Sequence, residues 1–149
     1  MWLNIVTDDQ LLASQIVKTI LLLVISGGIL FNIYRLVKFV SKRKRAINLS
    51  ILIILCLALI FVVRVYLIEF ALLKSPVYVT GTTIGNCNVF AEGRGIEFEY
   101  EVNGKKYRNC NTFHPVSPDS IKVPGGRYWV RTSNRFPDKG RMDFNKRAN

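Results

Sequence analysis

Histidine is almost missing from this chain: His114 is the only one in 149 residues. Cysteine is scarce too, with three. A zinc site draws on several closely spaced His and Cys ligands, so no metal centre is expected. A Ser–His–acid triad needs a nucleophile poised beside its histidine. Nothing in FHPVSPDS, the stretch around His114, marks one. GTTIG and GGRYWV lack the Lys-Ser/Thr continuation of a phosphate loop. Glu97, Glu99 and Glu101 could suggest a cation site, but they alternate along one strand and face Lys and Arg on the next. The expectation is a protein with no enzymatic activity and no cofactor.

Charge is missing just as selectively. INLSILIILCLALIFVV, residues 47–63, has none. As a helix it would run roughly 26 Å, close to the thickness of a bilayer core. IVKTILLLVISGGILFNIY, residues 16–34, has only Lys18. A chain this short has no core able to surround two such segments, so both are expected to cross a membrane. Residues 1–14 lack Lys and Arg and carry Asp8 and Asp9, unlike the basic start of a signal peptide.

Acid, in turn, is absent from residues 35–46, which hold Arg35, Lys38, Lys42, Arg43, Lys44 and Arg45. Short loops this basic stay in the cytoplasm. These six residues are the expected topology determinants, and the chain should be a multi-pass protein of the cell (inner) membrane with both termini outside the cytoplasm. Contact with anionic lipid would be incidental to that role, and no nucleic-acid partner is expected. Asn48 in the acceptor-like NLS lies at the cytoplasmic boundary and reads as a helix cap. Lys18, Arg64 and Glu69 fall toward the outer interface, where snorkelling accounts for them. Ser26-Gly27-Gly28 offers a notch for close packing of a second helix, in a hairpin or a homo-oligomer.

Beyond KSP at 74–76 the apolar period changes from that of a helix to that of a strand. IEFEYEV, residues 96–102, alternates strictly, and Asn103-Gly104 is the pair a type I′ turn prefers. That turn sets the register: Val102 faces Lys105, Glu101 faces Lys106, Tyr100 faces Tyr107 and Glu99 faces Arg108. About five short strands fit after residue 76, and the fold class is α+β. Two transmembrane helices precede a small antiparallel sheet, expected as an open barrel or a sandwich. The expected divisions are an outer tail at 1–14, a first span at 15–40, a basic loop at 41–46, a second span at 47–73, the β domain at 77–145 and a tail at 146–149.

FEYEVNGKKY, with IKVPGGRYWVRTSNRFPDKGRMDF after it, resembles the membrane-attached bacterial β domains of the domain-of-unknown-function group numbered 3592. The likeness covers about 50 residues. It implies a β domain joined to membrane helices in a bacterial cell envelope, and it implies no chemistry.

Cys56 lies in the second apolar run and reads as a small filler. Cys87 and Cys110 lie in the β domain, in an oxidising compartment by the charge argument. A disulfide between them would close a loop of about 24 residues, worth on the order of 3 kcal/mol. The sequence does not give their separation, and free thiols are the alternative. Trp129 with Arg127, Arg131 and Arg135, beside the mixed-charge hairpin, forms the candidate binding surface, since aromatic and Arg side chains dominate binding hot spots. Trp129 as a core residue is the alternative. The functional expectation is a module that binds another envelope or membrane protein, or supports a larger complex. An immunity protein against a toxin, or an accessory subunit of a transporter or secretion complex, are the other readings.

Overall fold

The computed structural model describes residues 7–38, 41–89, 93–112 and 116–148. His114 lies outside them. The chain divides into two compact units, one of Leu12–Glu69 and one of Met1–Leu11 with Phe70–Asn149.

Leu12–Glu69 is made from two helices, α1 (Asp8–Lys38) and α2 (Lys42–Lys74). Both are long and apolar enough to cross a membrane, with mean hydropathy of 2.2 and 3.1 over their most apolar windows. α1 starts at Asp8, well ahead of the apolar run, because Asp8 and Asp9 suit the positive end of a helix dipole. Arg35 and Lys38 suit its other end. The basic stretch expected as a loop at 41–46 is mostly helix instead: Lys42–Arg45 form the first turn of α2. Lys, Arg and Ala are good helix formers and nothing in KRKRA interrupts them. The helices run antiparallel. Gln15 Nε2 donates to Tyr66 O at 3.2 Å, Lys18 meets Glu69, and Gly28 lies opposite Leu55.

This helical unit buries Gln15, Lys18, Asn32, Asn48 and Glu69. It leaves Ile20, Leu23, Val24, Phe31, Ile54, Leu57 and Ile60 exposed.

The other unit holds β1 (Val77–Val89), β2 (Gly93–Val102), β3 (Lys105–Asn111), β4 (Arg127–Thr132) and β5 (Arg141–Arg147). They form one antiparallel sheet in the order β3-β2-β1-β4-β5, rather than the two packed sheets of a sandwich. Asn103 and Gly104 turn with φ of 52° and 76°, and all four expected cross-strand pairs of the β2–β3 hairpin are present. IKV, residues 121–123, is not a strand, yet Ile121 enters the core.

One face of the sheet carries the core: Ile96, Phe98, Tyr100 and Val102 from β2, Tyr128 and Val130 from β4, and Met142 and Phe144 from β5. No backbone ladder joins the edge strands β3 and β5 among the described residues. Asparagine side chains bridge them instead. Asn111 Nδ2 donates to Met142 O at 3.0 Å, and Asn109 Nδ2 lies 3.0 Å from Gly140 O and Asp138 O. Tyr100 completes this seam. Its hydroxyl donates to Pro137 O at 2.7 Å and accepts from Gly140 N and Asn109 Nδ2. Burial pushes the Tyr100 phenol up to about 12, with the Asp138 carboxylate adding to the shift and the Gly140 amide opposing it. Thr83, opposite Phe98 in the register, anchors the 122–126 turn. Its hydroxyl donates to Lys122 O at 2.7 Å and accepts from Gly126 N at 2.9 Å.

Candidate functional site

Strand alternation sends Tyr78 of β1, Trp129 and Arg131 of β4, and Asp143 of β5 to the face opposite the core. The register makes them neighbours: Tyr78 pairs with Arg131, and Trp129 with Asp143. With Lys146 they line an open cleft of about 290 Å³. Trp129 is 39% exposed and Tyr78 50%, so the aromatic surface faces solvent and Trp129 is not a core residue. Lys146 Nζ lies 3.9 Å from Asp143 Oδ2.

Arg131 departs from the expected exposed role. It is 3% exposed. Its Nε donates to Leu72 O at 2.9 Å, and its guanidinium pairs with Asp8 Oδ1 at 2.6 Å. Leu72 is in the last turn of α2 and Asp8 in the first turn of α1, and both belong to the same unit as the sheet. An orphan carbonyl at a helix C-terminus attracts a cation, and a five-donor guanidinium can satisfy it and a carboxylate together. Arg131 is thus a structural clamp that also forms one wall of the cleft, with its Cζ 5.8 Å from the centre of the Tyr78 ring.

The other expected surface residues do not gather here. Arg127 is exposed on the same face of β4, two residues from Trp129, but does not line the cleft. Arg135 lies beyond β4, over the ring of Phe136. The mixed-charge hairpin is a separate surface, where Glu99 lies 3.6 Å from Lys106 and 3.8 Å from Arg108.

Cys87 of β1 and Cys110 of β3 are joined in a disulfide that passes over β2 at Gly95. A Cβ on Gly95 would lie 2.6 Å from Asn111 O and 2.9 Å from Cys110 Sγ, so only glycine fits there. Cys56 is a free thiol exposed on α2. Among the described residues no group of His, Cys, Asp and Glu is placed to hold a metal ion.

In the helical unit, Lys18 and Glu69 do not snorkel separately. Lys18 Nζ and Glu69 Oε2 pair at 2.5 Å with side chains 10% and 2% exposed, while Ser14 bonds to both. Arg64 is exposed on α2. Of the six expected topology determinants, Arg35 and Lys38 end α1, over the rings of Phe31 and Tyr34. Lys42, Arg43, Lys44 and Arg45 begin α2.

The sequence reading missed Tyr78, Asp143 and Lys146. Alternation is weak around Tyr78, and Lys146 falls in the expected tail at 146–149 although β5 runs to Arg147; their convergence depends on β1, β4 and β5 being neighbours. The opposite signs of Lys18 and Glu69 at one end of the helical pair were a usable signal. Comparison with known proteins finds no matching family, no matching curated relative and no matching solved structure.

Proposed function

We propose that this chain is a two-span protein of the cell (inner) membrane, with its sheet outside the cytoplasm as a non-enzymatic interaction module. The observation that carries this reading is the burial pattern of Leu12–Glu69, where most large apolar side chains face outward while Gln15 meets Tyr66 and Lys18 meets Glu69 across the helix pair. In water such a surface is a liability. In lipid it is the arrangement expected of packed helices, whose polar residues turn inward.

The charge pattern supports the orientation. Four basic residues at the start of α2 oppose the positive end of its own dipole, which costs a few tenths of a kcal/mol each. Local helix stability therefore does not account for them, whereas retention of a short basic turn in the cytoplasm does. The Cys87–Cys110 disulfide supports an oxidising location for the sheet. The exposed aromatic cleft and the paired charges of the hairpin suit recognition of another envelope or membrane protein more than chemistry on a small substrate.

Protease added to spheroplasts should remove a C-terminal tag that inverted vesicles protect. The opposite pattern of cleavage would reverse the orientation and end this reading.

A further inference from the structure

The aromatic cleft lies close to the place where α2 ends. Tyr78 follows Lys74 by four residues, so chain length alone holds it within about 13 Å of the last helical turn. The opposite wall is fixed there as well, because Arg131 is bonded to Leu72 O. If α2 leaves a bilayer at its C-terminus, this cleft lies at headgroup depth.

Its chemistry suits that depth. Trp and Tyr concentrate at membrane–water interfaces, where a ring can contact apolar surface while its polar tip stays wet. Tyr78 and Trp129 are both half-exposed on one face, and each carries a donor. Lys146 has a side chain 70% exposed and brings an ammonium to the rim. Arg127 and Arg147 are exposed cations at the other end of the β4–β5 pair from Arg131, outside the cleft and away from the last turn of α2. Asp143 is the acid within the cleft, its charge facing Lys146, and Asp8 faces Arg131. A volume of about 290 Å³ is at the small end of ligand clefts, which run from about 300 to 1,000 Å³. That is room for a headgroup, not for a whole lipid.

We propose that this cleft seats the phosphate of an anionic phospholipid headgroup from the leaflet at which α2 ends. Lys146 supplies the counter-charge, Tyr78 and the Trp129 indole donate hydrogen bonds, and the two rings rest at the boundary of the acyl region. The inference rests on the two-span reading.

The test uses full-length protein with Trp2→Phe, which leaves Trp129 as the only tryptophan. It is placed in nanodiscs of phosphatidylcholine alone or with about a third phosphatidylglycerol. Acrylamide quenching of Trp129 should fall at least twofold when the anionic lipid is present. Lys146→Glu should abolish that difference, while Lys106→Glu on the hairpin should keep it. Soluble inorganic phosphate at millimolar concentration should not reproduce the protection. Equal quenching in both bilayers, an undiminished difference in Lys146→Glu, or full protection by inorganic phosphate would overturn the proposal. The same samples are treated with a membrane-impermeant maleimide. Protected Cys56 with unchanged quenching refutes the headgroup site alone, and labelled Cys56 removes the two-span reading and the site together.

Discussion

The helical unit and the sheet are built inside out with respect to each other. Between Leu12 and Glu69 the buried set includes Lys18, Glu69, Gln15, Asn32 and Asn48 beside Ile25, Val62 and Ile68, and many large Leu, Ile, Val and Phe side chains are exposed. In the sheet, Phe98, Tyr100, Tyr128, Val130 and Met142 are buried, while Glu101, Lys105, Lys106 and Arg108 face solvent. One 149-residue chain thus carries two opposite folding rules, and the change from one to the other falls where α2 ends.

The sharpest way to break this contrast is to remove one buried charge from the helical unit. Glu69→Ala leaves the buried Lys18 charge with the Ser14 hydroxyl but without its carboxylate and should cost about 3–5 kcal/mol. Replacing both partners, as Lys18→Met with Glu69→Leu, should recover most of that loss. Unfolding titrations in mixed micelles would measure both. If the double variant is as unstable as the single one, the pair does more than satisfy itself.

In the sheet the comparable element is covalent. Cys87→Ser with Cys110→Ser removes a cross-link between residues 23 apart in sequence and should cost about 3 kcal/mol. Chemical denaturation of the domain, with and without reductant, would show it. Gly95→Ala should weaken the same region, because the added methyl meets backbone that cannot give way.

A third test sharpens the exception on the sheet side, a polar group inside an apolar core. Tyr100→Phe deprives the buried Gly140 N–H of its acceptor and should cost about 1–3 kcal/mol. Titration gives an independent readout. Unfolded tyrosine ionises near 10, whereas Tyr100 stays neutral in the fold until about 12. Its stabilising contribution is therefore whole below pH 10 and is lost as pH rises from 10 to about 12. Alkaline unfolding of the wild type should show a component in that window that Tyr100→Phe lacks.

The smallest effect belongs to the solvent face. Glu99→Lys puts like charges beside Lys106 and Arg108, all at least a third exposed, and should cost less than about 1 kcal/mol. Added salt should erase it.

Much of the hairpin was legible in advance, because alternation and Asn103-Gly104 act over a few residues and specify a register on their own. The apolar runs were equally plain. The boundary between them was not. KRKRA read as a loop by its charge but forms a helix by its propensity. Ile121 enters the core from an irregular segment held by Thr83 and Tyr128, which no local pattern marks. The candidate site was half legible. Trp129 was singled out, while its partners Tyr78, Asp143 and Lys146 come from strands far apart in sequence.

By itself the sequence determined which segments are apolar, where the positive charge sits, and how β2 meets β3. These depend on hydropathy, charge and turn chemistry, which act through neighbours along the chain. Tertiary structure alone decided that Lys18 meets Glu69 across 51 residues and that Arg131 reaches Leu72 across 59. It also decided that asparagines bridge the two sheet edges. In each case a polar group withdrawn from water had to find a partner, and no local pattern records which distant group the fold would bring within reach.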